Sequence, residues 1–295
     1  MQVAMHNWMR AEPIETTIAR LAKCGYDAIE ISGEPERYDT KAVGKLLKDH
    51  GLTCWGSVTL MLGDRNLLAK DEKARAMSVK YVKDTITMIK ELGGQVITIV
   101  PCTVGKLVPE ATAAEEWNWA VASLKECYEH GLKEGVRLAI EPLNRFETYF
   151  LNRHDQALAL AEAVGPECGV CLDAFHMNIE EKDMFQAIRN AAPRLNDFHV
   201  ADNNRMACGM GAFDWAKIIG TLREVGYDGA LTVEFVAPID RTPANPYPNM
   251  LQLETDVELT PEERKFMIDH GTGDLTDEFY TWLMDETITT LRRHI

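Results

Sequence analysis

Four polar residues stand at the ends of four apolar, β-prone runs in the second half of the chain. Three are carboxylates and one is an imidazole, and segments typical of helices separate the runs. If the runs are successive parallel strands of a closed barrel, their carboxyl ends converge and bring these side chains to one point. Carboxylate oxygens and a neutral imidazole suit a divalent cation such as Mn²⁺ or Co²⁺, and Zn²⁺ less well. The residues are Glu141, Asp173, His199 and Glu234, which end the runs 137–141, 169–173, 195–199 and 231–234.

The elements that must position these residues alternate between strand and helix along the chain. Eight β-then-α units with short links predict an α/β fold, a (β/α)₈ TIM barrel of the xylose isomerase-like kind, with an active site on its carboxyl-terminal face. An open doubly wound sheet, the alternative, would not gather four consecutive strand ends. The predicted strands are 3–7, 28–32, 53–60, 95–100, 137–141, 169–173, 195–199 and 231–234, and the predicted helices are 14–24, 40–50, 71–92, 113–134, 155–164, 180–191, 215–225 and 277–293.

One connection breaks the regular spacing. Residues 237–276 separate the eighth strand from the last helix, and this segment begins with a proline-rich run before it becomes acidic. Long loops on the active-site face of a barrel are usually functional, so we expect a lid, a specificity loop or a subunit contact. The alternative is a disordered excursion. We predict one barrel domain over residues 1–295, with this loop inserted in it.

Composition and charge limit the partners. The chain has 295 residues, 46% of them hydrophobic, which is enough to bury a full core. It has 31 Lys+Arg against 46 Asp+Glu and a net charge of −15, which disfavours nucleic acid and anionic membranes as partners. Because the first residues contain no signal-peptide core and no run of about 18 apolar residues occurs, we expect a soluble cytoplasmic protein.

The seven cysteines are expected to be reduced thiols. Their number is odd and their spacing is not paired, which argues against a disulfide framework. Cys168 and Cys171 form a CxxC, but they fall in a predicted strand, where positions three apart face opposite sides. We therefore predict a packing role for this pair rather than a redox or zinc role.

Three motifs make the chain similar to a known family. They are EPLNRFE at 141–147, DAFHMNIEE at 173–181 and HVADNNR at 199–205. These motifs resemble those of the ketose 3-epimerases of the D-tagatose/D-allulose 3-epimerase type, within the xylose isomerase-like TIM barrels and their sugar phosphate isomerase/epimerase relatives. Residues 209–215, 226–229 and 233–235 extend the similarity, which covers nearly the whole barrel.

The resemblance implies roles for individual residues. The four strand-end residues match the family's metal ligands, with Mn²⁺ or Co²⁺ as the usual ion. We expect one Mn²⁺, with Co²⁺ or Mg²⁺ as alternatives. Glu141 and Glu234 also match the two acid/base carboxylates. Glu147, His176 and Arg205 match the residues that hold the C1–C3 oxygens of the sugar.

Epimerisation at C3 requires groups of these types. A proton must leave a carbon next to a carbonyl from one face and return from the other, so two flanking carboxylates can act as base and acid. A divalent ion that holds the carbonyl and adjacent hydroxyl oxygens stabilises the developing enediolate as a Lewis acid. Arg205 adds positive charge where the oxyanion grows. We therefore predict a metal-dependent isomerase that epimerises a ketose or keto-sugar at C3 through a metal-bound enediolate.

These assignments have structural alternatives. Glu141 could pair with Arg145 instead of a metal. His176 could make only a loop hydrogen bond, Arg205 could brace its loop, and Glu147 could be an exposed acid.

Residues in the first half of the chain add weaker candidates. His6 and Trp8 follow the first strand and are predicted substrate contacts. Glu30 ends the second strand, where a supporting role near the site and a structural salt bridge are equally consistent with its position. The remaining aromatic residues of interest are assigned to packing (Trp117 and Trp119) and to solvent (His50, His130, His154, His270 and His294).

The main alternative function is a lyase of the same superfamily. The same base and metal could eliminate a β-substituent from a 3-oxo-glycoside, as in C-glycoside deglycosylases, or from a keto-inositol, as in inosose dehydratases. Two departures from the epimerase pattern leave this open: residues 206–208 lack the proline that epimerases tend to have there, and the loop after strand eight is longer. The resemblance also implies a homo-oligomer, a dimer or tetramer, while a hetero-complex stays open for the lyase. A DNA-repair nuclease would need a basic groove, and a non-catalytic carbohydrate-binding barrel is the non-enzyme alternative.

Overall fold

Eight parallel strands close into a barrel in the computed structural model, which describes residues 1–237, 259–273 and 275–295. Each strand pairs with the next in chain order, and the eighth pairs with the first. The predicted TIM barrel is therefore confirmed. The strands are β1 (Gln2–His6), β2 (Ala28–Ser32), β3 (Thr53–Val58), β4 (Val96–Ile99), β5 (Arg137–Ile140), β6 (Gly169–Asp173), β7 (Leu195–Val200) and β8 (Ala230–Val233). The helices are α1 (Ile14–Cys24), α2 (Thr40–Asp49), α3 (Glu72–Glu91), α4 (Ala113–Glu134), α5 (His154–Val164), α6 (Ala174–Glu180), α7 (Met184–Ala191), α8 (Trp215–Glu224), α9 (Pro261–His270) and α10 (Asp277–Arg292).

The side chains inside the barrel form layers because every second residue of a strand faces inward. The floor is an apolar cluster in which Trp55 fills the space left by small neighbours. A buried polar layer lies two residues further along the strands, and the strand-end residues form the mouth above it. The floor contains Ala4, Ala28, Trp55, Val96, Ala139, Cys171 and Ala230, and the polar layer contains Glu30, Thr98, Asp197 and Thr232.

Local sequence signals fix where the helices begin and end. Thr112 and Glu115 form a capping box at the start of α4, each side chain bonding the other's backbone N–H. Gly25 and Gly135 end α1 and α4 with φ of 84° and 72°. This left-handed conformation favours glycine, which has no Cβ. These stops turn the chain back toward the next strand.

Two helical segments differ from the sequence prediction. The predicted helix 180–191 begins later, at Met184 (α7), because Glu181 is extended (φ −89°, ψ 133°) and Asp183 caps α7 through the N–H groups of Phe185 and Gln186. A separate helix that was not predicted, α6, lies before it. The predicted loop 237–276 contains the helix α9, which starts after Thr260 in a second capping box. The proline-rich run of this loop lies outside the described residues.

Among the described residues, no helix is both long and apolar enough to cross a bilayer. All seven cysteines are free thiols. Cys168 precedes β6 and is buried in the apolar core, whereas Cys171 lies within β6, buried between the barrel floor and the side chains of Glu141 and His199.

Candidate active site

The four strand-end side chains meet at the mouth of the barrel. Glu141, Asp173, His199 and Glu234 offer ligand atoms that all lie within 4.8 Å of one another. The Nδ1 atom of His199 is 3.1 Å from an Oε atom of Glu141 and 3.3 Å from one of Glu234. All four side chains are buried. The structure therefore brings together the residues that the sequence pattern grouped.

Strand pairing explains this convergence. Asp173 and His199 are direct partners in the β6–β7 register. Glu141 and Glu234 lie one residue beyond β5 and β8, and their N–H groups continue the ladder by donating to the carbonyls of Ile99 (2.9 Å) and Val200 (3.0 Å). The four side chains thus leave the barrel wall at the carboxyl ends of four neighbouring strands.

The electrostatics of this cluster call for a cation. Burial raises the pKa of Asp173 well above its usual range, and the charges of Glu234 and Glu141 raise it further. Burial alone would lower the pKa of His199, but Cys171, Glu141 and Glu30 outweigh it and raise that pKa well above its usual range. A divalent ion at this position would bind His199 in its deprotonated form and would offset the negative charge of the carboxylates.

The donor set fits such an ion. Oδ2 of Asp173 and Oε2 of Glu234 are buried and have no hydrogen-bond partner in the part of the chain that the structure describes. Buried unpaired carboxylate oxygens are costly unless they are coordinated or protonated. Three carboxylates and one imidazole also match the oxygen and nitrogen ligands of Mn²⁺ or Co²⁺.

A second acidic pair supports His199 from the layer below. Its Nε2 atom is 3.5 Å from an Oε atom of Glu30 and 3.7 Å from an Oδ atom of Asp197. Asp197 is held in place because it accepts hydrogen bonds from the Trp55 indole N–H and the Thr98 hydroxyl, both at 3.0 Å. Burial, together with the charge of Asp197, raises the pKa of Glu30 to about 8.

Loop residues after β5, β6 and β7 form a polar network beside the cluster. Arg205 donates to Glu147 at 2.7 Å, and the amide of Asn144 donates to the same carboxylate oxygen at 2.8 Å. The backbone N–H of Asn144 donates to Nδ1 of His176, so the Nε2 atom carries the proton of the neutral ring. That Nε2 atom is buried and 3.9 Å from Asp173.

Arg205 has an unusual backbone. Its φ of 60° is the only positive value at a non-glycine position among the described residues. Such conformations are costly and tend to persist at functional sites, where the surroundings impose them. Here the carbonyl of Arg205 accepts from Val236 at 2.8 Å, and its guanidinium stacks 4.9 Å from the Phe175 ring centre.

A cavity of about 260 Å³ opens onto these groups. Glu141, Glu147, His176, Arg205 and Glu234 line one side. Residues from the other half of the barrel and from the end of α9 line the rest: Trp8, Val58, Thr59, Leu60, Met61, Leu62, His270 and Gly271.

Comparison with known proteins identifies the family. A family model described as "Xylose isomerase-like TIM barrel" matches residues 18–263. An L-ribulose 3-epimerase of Mesorhizobium japonicum is 34% identical over 223 residues, which cover 75% of this chain and 75% of that protein. The chain belongs to the ketose 3-epimerase family.

Further members of the ketose 3-epimerase family agree. A D-psicose 3-epimerase of Agrobacterium fabrum is 31% identical over 230 residues, which cover 74% of this chain and 77% of that protein. A solved structure of an L-ribulose 3-epimerase matches with a TM-score of 0.80 at 26% identity and covers 99% of this chain and 95% of that one. The prediction of an isomerase of the carbohydrate epimerase class is confirmed.

The structure places two histidines of this ketose 3-epimerase family member beside the cluster or the cavity. His6, a predicted substrate contact, is fully buried beside His199, with its Nε2 atom 3.9 Å from Glu234, and its contact with substrate stays a prediction. His270, assigned to solvent, has a side chain only 5% exposed and faces the cavity. Trp8 lines the cavity, as its predicted role requires.

Sequence reasoning also missed Asp197. It lies two residues before His199 in β7, so both side chains face the barrel interior. The two-residue spacing between Asp197 and His199 is the sequence signal that could have identified Asp197. Glu30 was left between a supporting role near the site and a salt bridge, and its carboxylate lies next to His199.

Proposed function

We propose that this protein epimerises a ketose at C3. The observation that carries the proposal is the position of Glu141 and Glu234, which belong to one cluster of possible metal ligands and both line the cavity. Two carboxyl groups beside one bound carbon are what proton removal and return require.

The two glutamates divide the proton transfer. One carboxylate takes the C3 proton, and the electron pair of the broken C–H bond delocalises toward the C2 carbonyl. The other carboxyl group delivers a proton to the opposite face of C3, which inverts that centre. Without an ion, burial raises the pKa of Glu141, whereas the pKa of Glu234 is well below its usual range because His199 and His6 outweigh the effect of burial, so the two carboxyl groups differ in environment.

Glu141, Asp173, His199 and Glu234 would hold the metal, for which we propose Mn²⁺, with Co²⁺ or Mg²⁺ as alternatives. When bound, the ion would supply Lewis-acid stabilisation of the negative charge that forms on the substrate oxygens.

The remaining polar residues of the cavity orient the sugar. Arg205 and the Nε2–H group of His176 can donate to substrate oxygens, and Glu147 can accept from a hydroxyl. Arg205 and Glu147 already bond each other at 2.7 Å, which fixes both before substrate arrives. We propose that these three residues hold the C1–C3 oxygens.

The relatives named above are epimerases, which favours epimerisation over β-elimination. The seven free thiols agree with a reducing compartment, and we propose the cytoplasm.

We also propose a homo-oligomer. Leu107, Val108 and Phe146 are 52%, 73% and 70% exposed. Their two loops are joined at the site face, where the Gly105 N–H donates to the Glu147 carbonyl at 2.8 Å. Large apolar side chains that share one exposed surface are typical of protein contacts.

The test is incubation of the Mn²⁺-loaded protein with D-fructose in D₂O. We expect deuterium at C3 and formation of the C3 epimer. Glu141→Gln and Glu234→Gln should each lower turnover by at least about 100-fold, because one of the two proton transfers is lost. Glu129→Gln, an exposed position on α4, is the matched control. Full activity in either site variant, or a released leaving group without C3 exchange on a 3-oxo-glucoside, would refute the proposal.

A further inference from the structure

Helix α9 covers one side of the barrel mouth and is fixed to two loops. Phe266 lies under the guanidinium of Arg37, which is 4.8 Å from the ring centre. Just past the helix, the hydroxyl of Thr272 donates to the carbonyl of Met9. These contacts attach α9 to the loops that follow β1 and β2.

His270, the last residue of α9, has one nitrogen engaged and one available. Its ring stacks on Phe266 at a centroid distance of 3.8 Å and an angle of 16°. Because Nδ1 lies 2.7 Å from the Phe266 carbonyl, Nδ1 carries a proton. The Nε2 atom is buried and has no hydrogen-bond partner among the described residues, although a carboxylate oxygen of Glu34 is 3.5 Å away. Nε2 is therefore the ring nitrogen of His270 that makes no hydrogen bond among the described residues.

The cavity extends from the proposed catalytic groups to His270. In a closed ring of eight strands, β2 lies opposite β6. Asp173 ends β6, whereas His270 is held beside Glu34 in the loop after β2. A sugar bound through C1–C3 near Arg205 would extend along this cavity toward His270.

The cavity wall near His270 combines apolar residues with one acid. Trp8, Leu60, Met61, Leu62 and Gly271 line this cavity, and a carboxylate oxygen of Glu34 lies 3.5 Å from Nε2 of His270. The hydroxyl of Thr59, also in this wall, already accepts from the Val100 N–H at 3.2 Å. A sugar hydroxyl that enters here can donate to Nε2 of a neutral His270 ring or accept from the Nε2–H group of a protonated one.

We propose that His270 is a specificity residue that hydrogen-bonds the terminal hydroxyl of the ketose. This inference rests on the proposed function and names the end of the substrate that the site selects. It gives α9 a direct role in choosing among ketoses. A hydroxyl contact of this kind discriminates against an analogue that lacks the group, because the buried partner is then left unpaired.

The test compares D-fructose with 6-deoxy-D-fructose on the Mn²⁺-loaded protein. Sugar affinity is measured by titration calorimetry, and C3 deuterium exchange is measured on the same samples. We expect wild-type protein to prefer D-fructose by roughly tenfold, the size of one buried hydrogen bond. His270→Ala should abolish this preference, and His270→Asn should keep part of it. Ile268→Ala, on the same helix with a side chain that is 74% exposed, is the control for helix perturbation.

The outcomes separate the two proposals. If His270→Ala keeps the full preference, the inference is wrong, while C3 exchange on D-fructose would still support the proposed function. If wild type shows the binding preference but no C3 exchange, only the proposed function fails. If neither sugar binds, both are wrong. Unfolding transitions of the two His270 variants establish that each variant is folded.

Discussion

His199 connects the mouth of the barrel to the layer beneath it. Its Nδ1 atom faces Glu141 and Glu234, and its Nε2 atom faces Glu30 and Asp197. A histidine that binds a metal through one nitrogen normally donates its other N–H to a carboxylate, which fixes the ring orientation. If His199 binds the proposed metal through Nδ1, Asp197 and Glu30 would act on that metal as positioning residues through its Nε2 side.

Asp197→Asn should weaken metal binding by about 10–100-fold, because Asn replaces the carboxylate that orients His199. The measurement is Mn²⁺ affinity by competition with a chelator. Asp64→Asn, an exposed position, is the control. An unchanged Mn²⁺ affinity in a folded Asp197→Asn protein would show that the carboxylate has no role in holding the ring.

At the residue scale, sequence revealed the groups that end strands but not those that depend on distant contacts. Asp173 and His199 were visible because each interrupts an apolar run at a strand end. His270 could not be assigned, because its burial depends on Glu34 and Phe266 coming together, which no local pattern encodes. For His6, alternation indicates the inward face of β1 but not how close the side chain lies to the cavity, so its substrate contact stays a prediction.

At the element scale, strands β3 and β4 approach each other closely at Gly56. Gly56 pairs with Val96 in the register, and a Cβ at Gly56 would lie 2.2 Å from the Val96 carbonyl oxygen. Backbone atoms within a sheet cannot move aside without separating the strands. This contact lies directly beside Trp55, which forms the barrel floor.

Gly56→Ala should lower the free energy of unfolding by about 1–3 kcal/mol, the typical cost of overpacking. Gly220→Ala is the matched control, because a Cβ there meets nothing within 4 Å in the interior of α8. The control should stabilise the protein by about 0.5–1 kcal/mol, since alanine favours helix over glycine. Denaturant unfolding of both variants measures the difference, and equal effects would contradict the close strand contact.

Most helices and strands could be predicted because the period of their hydrophobic residues agreed with the capping residues at their ends. The start of the predicted helix 180–191 was wrong because the chain is extended at Glu181 and the capping side chain of Asp183 sets the start of α7. Helix α9 was missed because it is polar and its stability depends on contacts with the loop after β2, such as that between Phe266 and Arg37.

At the scale of the whole molecule, the exposed residues Leu107, Val108 and Phe146 should determine self-association. We expect wild-type protein to have a mass in solution that is a multiple of 33.2 kDa. Phe146→Asp should shift it toward the monomer, because a charge in a buried contact is strongly disfavoured. Met77→Asp, on α3 with a side chain that is 61% exposed, is the control. Light scattering measures the mass, and a monomeric wild type would contradict the proposed assembly.

Different parts of the sequence supply the two sides of the cavity, and this division has an evolutionary consequence. The residues proposed for chemistry all lie between 141 and 234, whereas the wall facing the far end of the sugar comes from β1, from β3 and the loops that follow these strands, and from α9. Recombination between related genes at the loop after β4 would therefore exchange much of the selective wall while inheriting the reactive set intact. New sugar preferences could arise in this lineage without rebuilding the proton-transfer machinery.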